Sequence, residues 1–558
     1  MRVSLVVVWG GVFVALASPH FALPGVWVVA FVPLFIGLNL ALEPSPPGAR
    51  ALLWRAFAAT YPAGIVFAAL TGGWVTNTAH VYGALPLPLG FAANALGFGS
   101  MFGLEFFAYL GLPFALVRKR PLWALAVVPL WCTVGQVFVP RFLFYTYGQV
   151  MITTPAMVQF ADLLGSGGLN LLFLPLQLLL AFAACQWAPG LRSLPRRIDA
   201  RPFALACSGV LILYALAFGY GFRQMGVWRE AARRGPQVEV VGIQPNFSLG
   251  YLASNPALSH SDRMLSMQAL IGDSELALAR AQRKPGVPTV LVWPESVYPR
   301  AYFFAAPLRE AVENWVRRRG VHLVLATQDA QPATGSGGRM KAFGAAVHVG
   351  PEGMVRGVYR KIALIPFGET IPLAQWFPAW ARFLRAWIPQ ISEFTPGSEH
   401  TVFDLPNGVG LAPMICYDAV DETIARGMAR NGARMGLLMA NLAWFGRTSV
   451  SDQLGLYARF RAIENRMPLL FLSQNGESFM IDALGMESSA RQPQFQKGAI
   501  VQILGVPEAT SFYTRHGDPV RAGFALLLAL TLLALPGTHG WRRIYSIVRE
   551  RLSSTRPL

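Results

Sequence analysis

Residues 203–221 read FALACSGVLILYALAFGYG, a run of nineteen positions without a charged side chain. Its length is close to the roughly 20 apolar residues that an α-helix needs to cross the hydrocarbon core of a bilayer. The composition changes sharply after this run. Residues 222–519 hold 54 Asp, Glu, Lys and Arg side chains, whereas residues 1–221 hold only 15. The run therefore predicts the boundary between a membrane-embedded part and a domain in contact with water.

The composition of the whole chain supports this division. The 558 residues are 54% hydrophobic and only 14% charged, whereas a soluble globular protein carries about 25% charged residues. These values exclude a wholly soluble protein and a disordered chain. Four cysteines are too few for a disulfide scaffold in a chain of this length.

Further apolar runs lie on both sides of residues 203–221. We predict eight spans, at about 3–18, 22–42, 56–75, 92–117, 122–139, 167–187, 203–221 and 520–536. The first run lacks a following small-residue cleavage site, so we interpret it as a retained span. The expected organisation is a seven-span domain over 1–221, a water-exposed domain over 222–519, and an eighth span with a tail over 520–558.

Positive charge predicts the orientation of these spans. Alternate connections, from Arg2 to the arginine-rich tail, together hold 15 Lys and Arg residues and three acidic residues. The positive-inside rule places such connections in the cytoplasm. Because seven spans precede it, the 222–519 domain is expected on the periplasmic side. The net charge of +18 thus belongs mainly to cytoplasmic loops, which argues against a nucleic-acid-binding surface.

The 222–519 domain shows an alternation of β-rich and amphipathic stretches from about residue 237. Mostly apolar strands that alternate with helices favour an α/β sandwich. The predicted strands are 238–244, 289–293, 322–327, 345–349, 410–416, 435–440, 469–473 and 479–481. The predicted helices are about 259–283, 307–319, 421–431 and 452–466.

Cys416 is the only cysteine of this domain, and the other three cysteines lie in apolar spans where packing is their usual role. Cys416 follows a predicted strand in Ala412-Pro-Met-Ile-Cys416-Tyr-Asp418. A lone thiol in this position is either a nucleophile or a buried structural residue. The cysteine alone does not decide between these roles.

Two other polar residues come at the ends of apolar stretches. Glu295 follows a predicted strand in Leu291-Val-Trp-Pro-Glu295, and Lys361 stands at a strand end in Tyr359-Arg-Lys361. Each residue alone could be an ordinary surface charge. Together with Cys416 they supply a base, a cation and a thiol, which are the groups that covalent acyl transfer requires.

The order Glu295, Lys361, Cys416 in these contexts resembles the nitrilase superfamily, whose αββα sandwich carries a Glu-Lys-Cys triad. With its apolar runs, the chain resembles the apolipoprotein N-acyltransferases, which place a nitrilase-like domain between a seventh and an eighth span. The resemblance covers essentially the whole length. It includes the segments Asn441-Leu-Ala-Trp444-Phe445-Gly446, Arg459-Phe-Arg461-Ala-Ile-Glu464, Asn475-Gly476 and Tyr513-Thr-Arg515-His-Gly517-Asp518.

Three positions depart from the pattern of that family. Asp418 stands where a glutamate usually follows Cys-Tyr, Leu442 replaces an aspartate, and Leu454 stands where a histidine is expected. The shorter carboxylate of Asp418 could alter how an acceptor amine is held. The three catalytic residue types are unchanged, so the departures bear on substrate preference and leave the chemistry in place.

The resemblance implies an enzyme of the bacterial inner membrane. It would move an acyl chain from a phospholipid, through a thioester on Cys416, to the α-amino group of the N-terminal diacylglyceryl-cysteine of a lipoprotein. Glu295 would be the base and Lys361 would stabilise the oxyanion. No cofactor or metal is expected, and the protein would act as a monomer. Candidates for catalytic support or substrate binding are Glu369, Tyr417, Asp418, Asn441, Trp444 and Phe445.

One segment suits a bilayer surface. Trp376, Trp380 and Trp387 recur at helical spacing, and Arg382 and Arg385 lie between them. An amphipathic helix of this composition can lie in the membrane interface, although an aromatic stripe more commonly packs in a core. The stripe is therefore a candidate lipid-facing lid.

Two other functions stay open at this stage. A membrane-tethered amidase of the nitrilase type would use the same triad and pass its thioester to water. A transporter or scaffold with a nitrilase-like fold would need no triad, so the presence of Glu295, Lys361 and Cys416 argues against it.

Overall fold

In the computed structural model of the protein, the described residues are 2–18, 21, 23–43, 46, 48–81, 83–138, 146–188, 198–247, 259–298, 301–332, 340–374, 376–387 and 393–535. They form a set of apolar helices and an α/β domain with two sheets. Both parts were predicted from the sequence, and both are confirmed.

Helices make up the regular structure described before residue 235. They are α1 (Arg2–Ala17), α2 (Val32–Ala41), α3 (Ala49–Thr71), α4 (Gly73–Val81), α5 (Leu87–Ala92), α6 (Gly99–Phe106), α7 (Leu112–Val117), α8 (Ala124–Phe138), α9 (Pro155–Val158), α10 (Ala161–Gly168), α11 (Asn170–Trp187) and α12 (Ala200–Arg234). Two π-helical turns join α5, α6 and α7 into one helix over Leu87–Val117.

Several of these helices have the character of membrane spans. Within the described ranges, five helices are long and apolar enough to cross a bilayer: Ala49–Thr71, Leu87–Val117, Asn170–Trp187, Ala200–Arg234 and Phe512–Ala534. Three shorter apolar helices, Val6–Ala17, Val26–Ala41 and Pro121–Gly135, occupy the other predicted positions. Apolar helices of membrane-spanning length are thus confirmed, whereas the total of eight spans stays a prediction. The predicted tail after residue 535 lies outside the described residues.

The α/β domain begins directly after α12. Its strands are β1 (Gln237–Gln244), β2 (Thr289–Trp293), β3 (His322–Pro332), β4 (Met340–Val349), β5 (Val355–Arg360), β6 (Phe403–Asp404), β7 (Gly410–Ile415), β8 (Ala433–Ala440), β9 (Leu469–Ser473), β10 (Phe479–Ile481) and β11 (Gly498–Gly505). The remaining helices are α13 (His260–Leu278), α14 (Ala306–Arg319), α15 (Pro378–Trp387), α16 (Glu422–Arg430), α17 (Val450–Asn465) and α18 (Phe512–Ala534). All the predicted strands and helices are present, and β5, β6 and β11 are additional.

The strands form two sheets, in the orders β11-β1-β2-β3-β4-β5 and β10-β9-β8-β7-β6. Strands β1, β2 and β3 are parallel, as are β7, β8 and β9. Apolar side chains of both sheets, such as Val240 and Leu438, share one buried core. Helices α13 and α14 cover the first sheet through a second core, and α16 and α17 pack on the other sheet. The result is the predicted four-layered αββα sandwich.

The two connections to the membrane helices leave the sandwich side by side. Gln237, the first residue of β1, lies opposite Gly505, the last residue of β11, in an antiparallel pair. The backbone N–H of Val506 donates to the carbonyl of Pro236 over 2.9 Å. A Cβ atom on Gly235 would lie only 2.0 Å from the Val506 carbonyl oxygen, so glycine permits this close approach.

The helix α12 is continuous over 35 residues. The boundary expected between residues 221 and 222 falls inside α12, and the one expected between 519 and 520 falls inside α18. The chain therefore passes from the apolar helices to the sandwich, and back again, without an intervening flexible linker at those positions.

A buried ion pair and a buried hydrogen bond connect the sandwich to the membrane helices. Arg466 follows α17, and its Nη2 atom lies 2.6 Å from the Asp162 carboxylate on α10. Nearby, the backbone N–H of Ser166 donates to Glu464 over 2.7 Å. Both partners of each contact are almost fully buried. Removing one partner of a buried ion pair typically costs about 3–5 kcal/mol, so these contacts fix the position of α17.

Candidate active site

The three residues of the predicted triad each follow a strand. Glu295 comes two residues after β2, Lys361 directly follows β5, and Cys416 directly follows β7. Strands β2 and β5 belong to the six-stranded sheet and β7 to the other. The carboxyl ends of strands are where open α/β sheets usually present ligand-binding groups. The candidate site therefore lies between the two sheets, at one end of the sandwich.

Lys361 is fully buried between two carboxylates. Its Nζ atom donates to Glu369 Oε1 over 2.8 Å and lies 3.7 Å from Glu295 Oε1. Burial alone would lower the pKa of the lysine, but the charges of Glu369 and Glu295 outweigh this effect and raise the pKa. Lys361 thus carries a fixed positive charge at neutral pH.

Both carboxylate oxygens of Glu369 accept hydrogen bonds from the segment that contains this lysine. Oε1 accepts from Lys361, and Oε2 accepts the backbone N–H of Ile365 over 2.9 Å. We call residues 361–370 the lysine loop. Glu369 therefore orients Lys361 and stabilises the turn that follows it.

The carboxyl group of Glu295 exchanges between its ionised and protonated forms near neutral pH. Its Oε2 atom accepts the backbone N–H of Asn441 over 3.0 Å. Burial raises the pKa of Glu295 to about 7, although the positive charge of Lys361 opposes the shift. About 21% of the side chain stays accessible, so the carboxyl group can meet a bound molecule. A carboxyl group with this pKa can accept and return protons near neutral pH.

Cys416 opens a one-turn 3₁₀-helix, Cys416–Ala419, which we call the cysteine turn. Its backbone adopts φ of 46°, in the left-handed region that is unfavourable for a residue with a side chain. Such local strain is commonly retained at functional sites. Burial raises the pKa of the thiol, the Glu295 carboxylate raises it further, and Lys361 opposes both. The thiol is therefore protonated at rest and needs a base to become nucleophilic.

Asp418 ties the cysteine turn to the lysine loop. One oxygen accepts from the Tyr359 hydroxyl over 2.8 Å and from the Ile415 N–H over 2.9 Å. The other accepts from the N–H groups of Ile362 and Ala363, over 3.2 and 2.8 Å. The side chain is completely buried. Protein donors thus occupy both oxygens, which fits a positioning residue, and an influence of Asp418 on the acceptor amine stays a prediction.

The loop after β8 carries three further candidates. Besides donating to Glu295, Asn441 accepts the backbone N–H of Ala443 at its Oδ1 atom, over 3.1 Å. Within the described part of the chain, its buried Nδ2 group has no hydrogen-bond partner. The carbonyl of Trp444 accepts from the Thr78 hydroxyl over 3.4 Å. Tyr417, the remaining candidate, lies in the cysteine turn and is half-buried.

The rim of the site rests on the membrane helices. The rings of Phe445 and Trp74 meet edge to face, with their centroids 5.5 Å apart. The indole N–H of Trp74 donates to Gln453 over 3.2 Å, and Gln453 donates to the carbonyl of Thr71 over 2.9 Å. The site thus packs against α3 and α4, which are two of the apolar helices.

The other two departures from the family pattern are buried apolar residues. Leu442 and Leu454 are 2% and 7% exposed and belong to the apolar core that the sheets share with α16 and α17. An unpaired polar side chain would be costly there. Both leucines therefore suit their surroundings, and neither supplies a group that could contact a polar substrate.

Sequence reasoning did not single out Tyr359, Trp74 or Gln453. The signal for Tyr359 is its spacing, because residues two apart in a strand point to the same face, and Tyr359 is two residues before Lys361. Trp74 and Gln453 are separated by 379 residues, and no local pattern connects them.

The aromatic stripe lies on and beside α15. The side chains of Trp376 and Trp380 are 68% and 41% exposed, whereas that of Trp387 lies outside the described residues. Arg382 is exposed as well. Only a small cluster that includes Ala381 and Leu384 is buried under the helix. Exposure of this kind differs from core packing and fits an amphipathic helix that faces a lipid surface.

No group of three or more His, Cys, Asp or Glu side chains within the described ranges is arranged to hold a metal ion. The polar groups gathered at the site are instead a thiol, carboxylates, an ammonium group and backbone amides. This set can generate a thiolate and stabilise an oxyanion through proton transfer and fixed charge.

Comparison with known families defines the class of the sandwich. The sequence profile described as carbon-nitrogen hydrolase matches residues 223–507, just over half of the chain. The profile of the apolipoprotein N-acyltransferase N-terminal domain matches residues 10–179. The chain thus combines a carbon–nitrogen hydrolase domain with a helical domain found in one kind of acyltransferase.

Full-length relatives give the narrower assignment. An apolipoprotein N-acyltransferase of Azotobacter vinelandii is 30% identical and covers 94% of this chain and 93% of its own length. One from Geobacter metallireducens is 28% identical, with 95% coverage of both chains. The chain belongs to the apolipoprotein N-acyltransferase family, which confirms the resemblance found in the sequence.

Solved structures similar to the chain cover about half of it. A mutant of the Nesterenkonia AN1 amidase, from the nitrilase superfamily, covers 52% of this chain and 97% of its own length. The sequence identity is 18% and the TM-score is 0.37.

Proposed function

We propose that the protein N-acylates lipoproteins, with a membrane phospholipid as acyl donor and Cys416 as the residue that carries the acyl group. The acceptor is the α-amino group of an N-terminal diacylglyceryl-cysteine. The observation that carries the proposal is the meeting of Cys416, Glu295 and Lys361 on a domain that rests on apolar helices. Family membership supports acyl transfer to a lipoprotein and does not favour the alternative, a tethered amidase.

In the first half-reaction, Glu295 removes the proton from Cys416, and the thiolate attacks the ester carbonyl of the phospholipid. The ammonium group of Lys361 stabilises the negative charge that develops on the carbonyl oxygen, an interaction commonly worth about 3–4 kcal/mol. The carbon–oxygen bond to glycerol then breaks. The leaving alkoxide takes the proton from Glu295, so that lysophospholipid departs and a thioester remains on Cys416.

In the second half-reaction, the lipoprotein amine attacks the thioester carbonyl. Glu295 accepts a proton from the attacking nitrogen, and Lys361 again faces the oxyanion. The carbon–sulfur bond breaks, the new amide leaves, and the proton returns to Cys416. Two substrates that react in turn at one residue give ping-pong kinetics. Every residue in these steps comes from one chain, and we propose that the protein acts as a monomer.

The proposal is tested by incubating the purified protein with a phosphatidylethanolamine and a diacylated lipopeptide that has a free amino terminus. Mass spectrometry should show one added acyl chain on the lipopeptide and an equal amount of lysophospholipid. A lipopeptide with an acetylated amino terminus is the control and should gain nothing. Release of free fatty acid at the same rate with either peptide would establish hydrolysis and disprove the transfer.

The rate should depend on pH through Glu295. As the base, Glu295 must be ionised, and burial raises its pKa to about 7. We therefore expect kcat/KM to fall about tenfold per pH unit below pH 7 and to level off above it. Initial rates between about pH 5 and 9 measure this acidic limb of the pH–rate profile, the fall of kcat/KM below pH 7. It should disappear in Glu295→Gln and persist in Glu310→Gln, an exposed control on α14. A limb near pH 4.5 would contradict the assignment.

The exposed tryptophans should serve lipid access. We expect Trp376→Ser with Trp380→Ser to raise KM for phospholipid in vesicles several-fold while Tm stays nearly constant, because neither side chain is buried. Trp315→Ser is the matched control, since Trp315 is 4% exposed and loss of a buried Trp costs about 3–5 kcal/mol. If the double variant unfolded as Trp315→Ser does, the stripe would be part of the core.

We propose that this bacterial membrane protein holds its catalytic domain on the periplasmic side of eight spans. The positive-inside distribution of charge supports this orientation. A reporter enzyme fused after Arg120 or Arg201 should show cytoplasmic activity, and one fused within 222–519 should show periplasmic activity. A cytoplasmic signal from the sandwich would overturn the orientation.

A further inference from the structure

A cavity of about 210 Å³, lined by both polar and apolar side chains, lies where the sandwich meets the membrane helices. Parts of α8, α10, α16, α17 and α18 line it, and none of Glu295, Lys361 and Cys416 does. A cavity needs only roughly 10–15 Å³ in this measure to hold one water molecule, so this one has room for a small polar group. The mechanism described above uses no residue of this cavity.

The cavity presents unused hydrogen-bond donors on a buried cation. Arg461 on α17 is 1% exposed. Its Nη2 atom lies 2.9 Å from Glu464, but its Nε and Nη1 atoms have no hydrogen-bond partner among the described residues. Leaving such donors unpaired in a buried place is costly. A group with several acceptor oxygens, such as a phosphate, would satisfy both.

Charges of both signs line the cavity. Besides Arg461, it is lined by Arg521 of α18 and, at the start of α16, by Asp421 and Glu422. Arg521 pairs with Glu422 and also donates to the Tyr513 hydroxyl over 3.2 Å. Two guanidinium groups and two carboxylates line the cavity, and a third carboxylate, Glu464, lies behind the lining and pairs with Arg461. A lining that is neutral overall but rich in charge matches a zwitterion better than a simple anion.

The cavity is also continuous with an apolar surface. Phe524 of α18 lines it, and α18 is one of the helices apolar enough to cross a membrane. Beyond Phe524, the side chains of Leu527 and Leu530 are exposed. A ligand with a polar head in the cavity could therefore lay its acyl chains along α18.

From these observations we propose that the cavity binds the headgroup of a zwitterionic phospholipid with a primary ammonium group. Arg461 and Arg521 hold the phosphate, and Asp421 and Glu422 hold the ammonium group. The site is separate from the candidate active site. Since Val420–Thr423 directly follows the cysteine turn, the bound headgroup supports the segment that presents Cys416.

Photochemical labelling tests this site independently of acyl transfer. The full chain with Cys416→Ala, reconstituted in phosphatidylcholine vesicles, receives a phosphatidylethanolamine that carries a diazirine next to its headgroup. Peptide mapping should find label within 420–423 and 513–524. Arg521→Gln should reduce this label at least tenfold, whereas Arg430→Gln, a control on α16 that does not line the cavity, should keep it. Absence of label, or equal label in both variants, would overturn the proposal.

The charge pattern allows a test that misfolding cannot mimic. In Asp421→Asn, the side chain keeps its shape and its ability to cap α16, but one carboxylate is lost. Competition should then shift severalfold from phosphatidylethanolamine towards anionic phosphatidylglycerol. An unchanged preference would overturn the assignment of the ammonium group. Displacement of the label by excess inorganic phosphate as readily as by phosphatidylethanolamine would show a free-anion site and overturn the lipid assignment.

Discussion

Replacing Cys416 with alanine should abolish acyl transfer, lowering the rate by at least about 10³-fold, because no other group in the site can carry the acyl chain. When the wild-type protein receives phospholipid without acceptor, an acyl adduct should accumulate on Cys416. Intact-protein mass spectrometry detects this adduct, and hydroxylamine removes it if it is a thioester. Adding a diacylated peptide with a free amine should discharge it.

The matched control is Cys207→Ala. Cys207 is also a free cysteine, although it is partly exposed, and its loss should leave the adduct intact. Glu295→Gln should form the adduct very slowly, since the buried thiol then lacks the base that ionises it. An adduct of normal amount in Cys416→Ala would place the nucleophile elsewhere and refute the mechanism.

Lys361→Met should impair both the reaction and the fold. The rate should fall by about 10²–10³-fold, because the developing oxyanion loses its fixed positive charge. The free energy of unfolding should fall by about 3–5 kcal/mol, because Glu295 and Glu369 lose their buried cation. Denaturant unfolding and the acyl-transfer assay measure the two effects separately. Lys497→Met, which removes an exposed lysine paired with Asp273, should change neither value much.

A double variant separates stability from catalysis. In Lys361→Met with Glu369→Gln, an amide replaces the carboxylate that lies 2.8 Å from Nζ in the native protein, so part of the lost stability should return. The rate should stay low, because the amide supplies no positive charge to the oxyanion. Recovery of the rate along with the stability would show that Lys361 only supports the fold.

Strands that are apolar throughout could be predicted from the sequence. Strands that depend mainly on pairing with a neighbouring strand could not. Val355–Arg360 contains two arginines and a glycine, so its pattern is weak, and pairing with β4 makes it a strand. Phe403–Asp404 has only two residues and depends on β7. β11 is flanked by glycines and gains its place through β1. The deciding partner is the adjacent strand for β5 and β6, and for β11 it is β1, at the other end of the domain.

The same distinction holds at the candidate site. The placement of Glu295 and Cys416 could be predicted from the apolar strands before them. That of Lys361 could be predicted only from the local segment Tyr359-Arg-Lys361, because the rest of β5 has a weak pattern. The role of Asp418 could not, because its partner Tyr359 comes from the opposite sheet. The packing of Phe445 on the membrane helices likewise needs contacts across more than 300 residues.

The side-by-side exit of β1 and β11 makes the enzyme modular. Neighbouring strands in a sheet are about 4.8 Å apart, so the chain leaves the helical bundle and returns to it at nearly the same point. A turn of a few residues could bridge that gap, and the bundle would be topologically complete without the sandwich. Domains with adjacent termini are the ones that tolerate insertion into another protein. The architecture is thus what a single insertion event would produce: a carbon–nitrogen hydrolase domain placed between two apolar helices of a helical bundle.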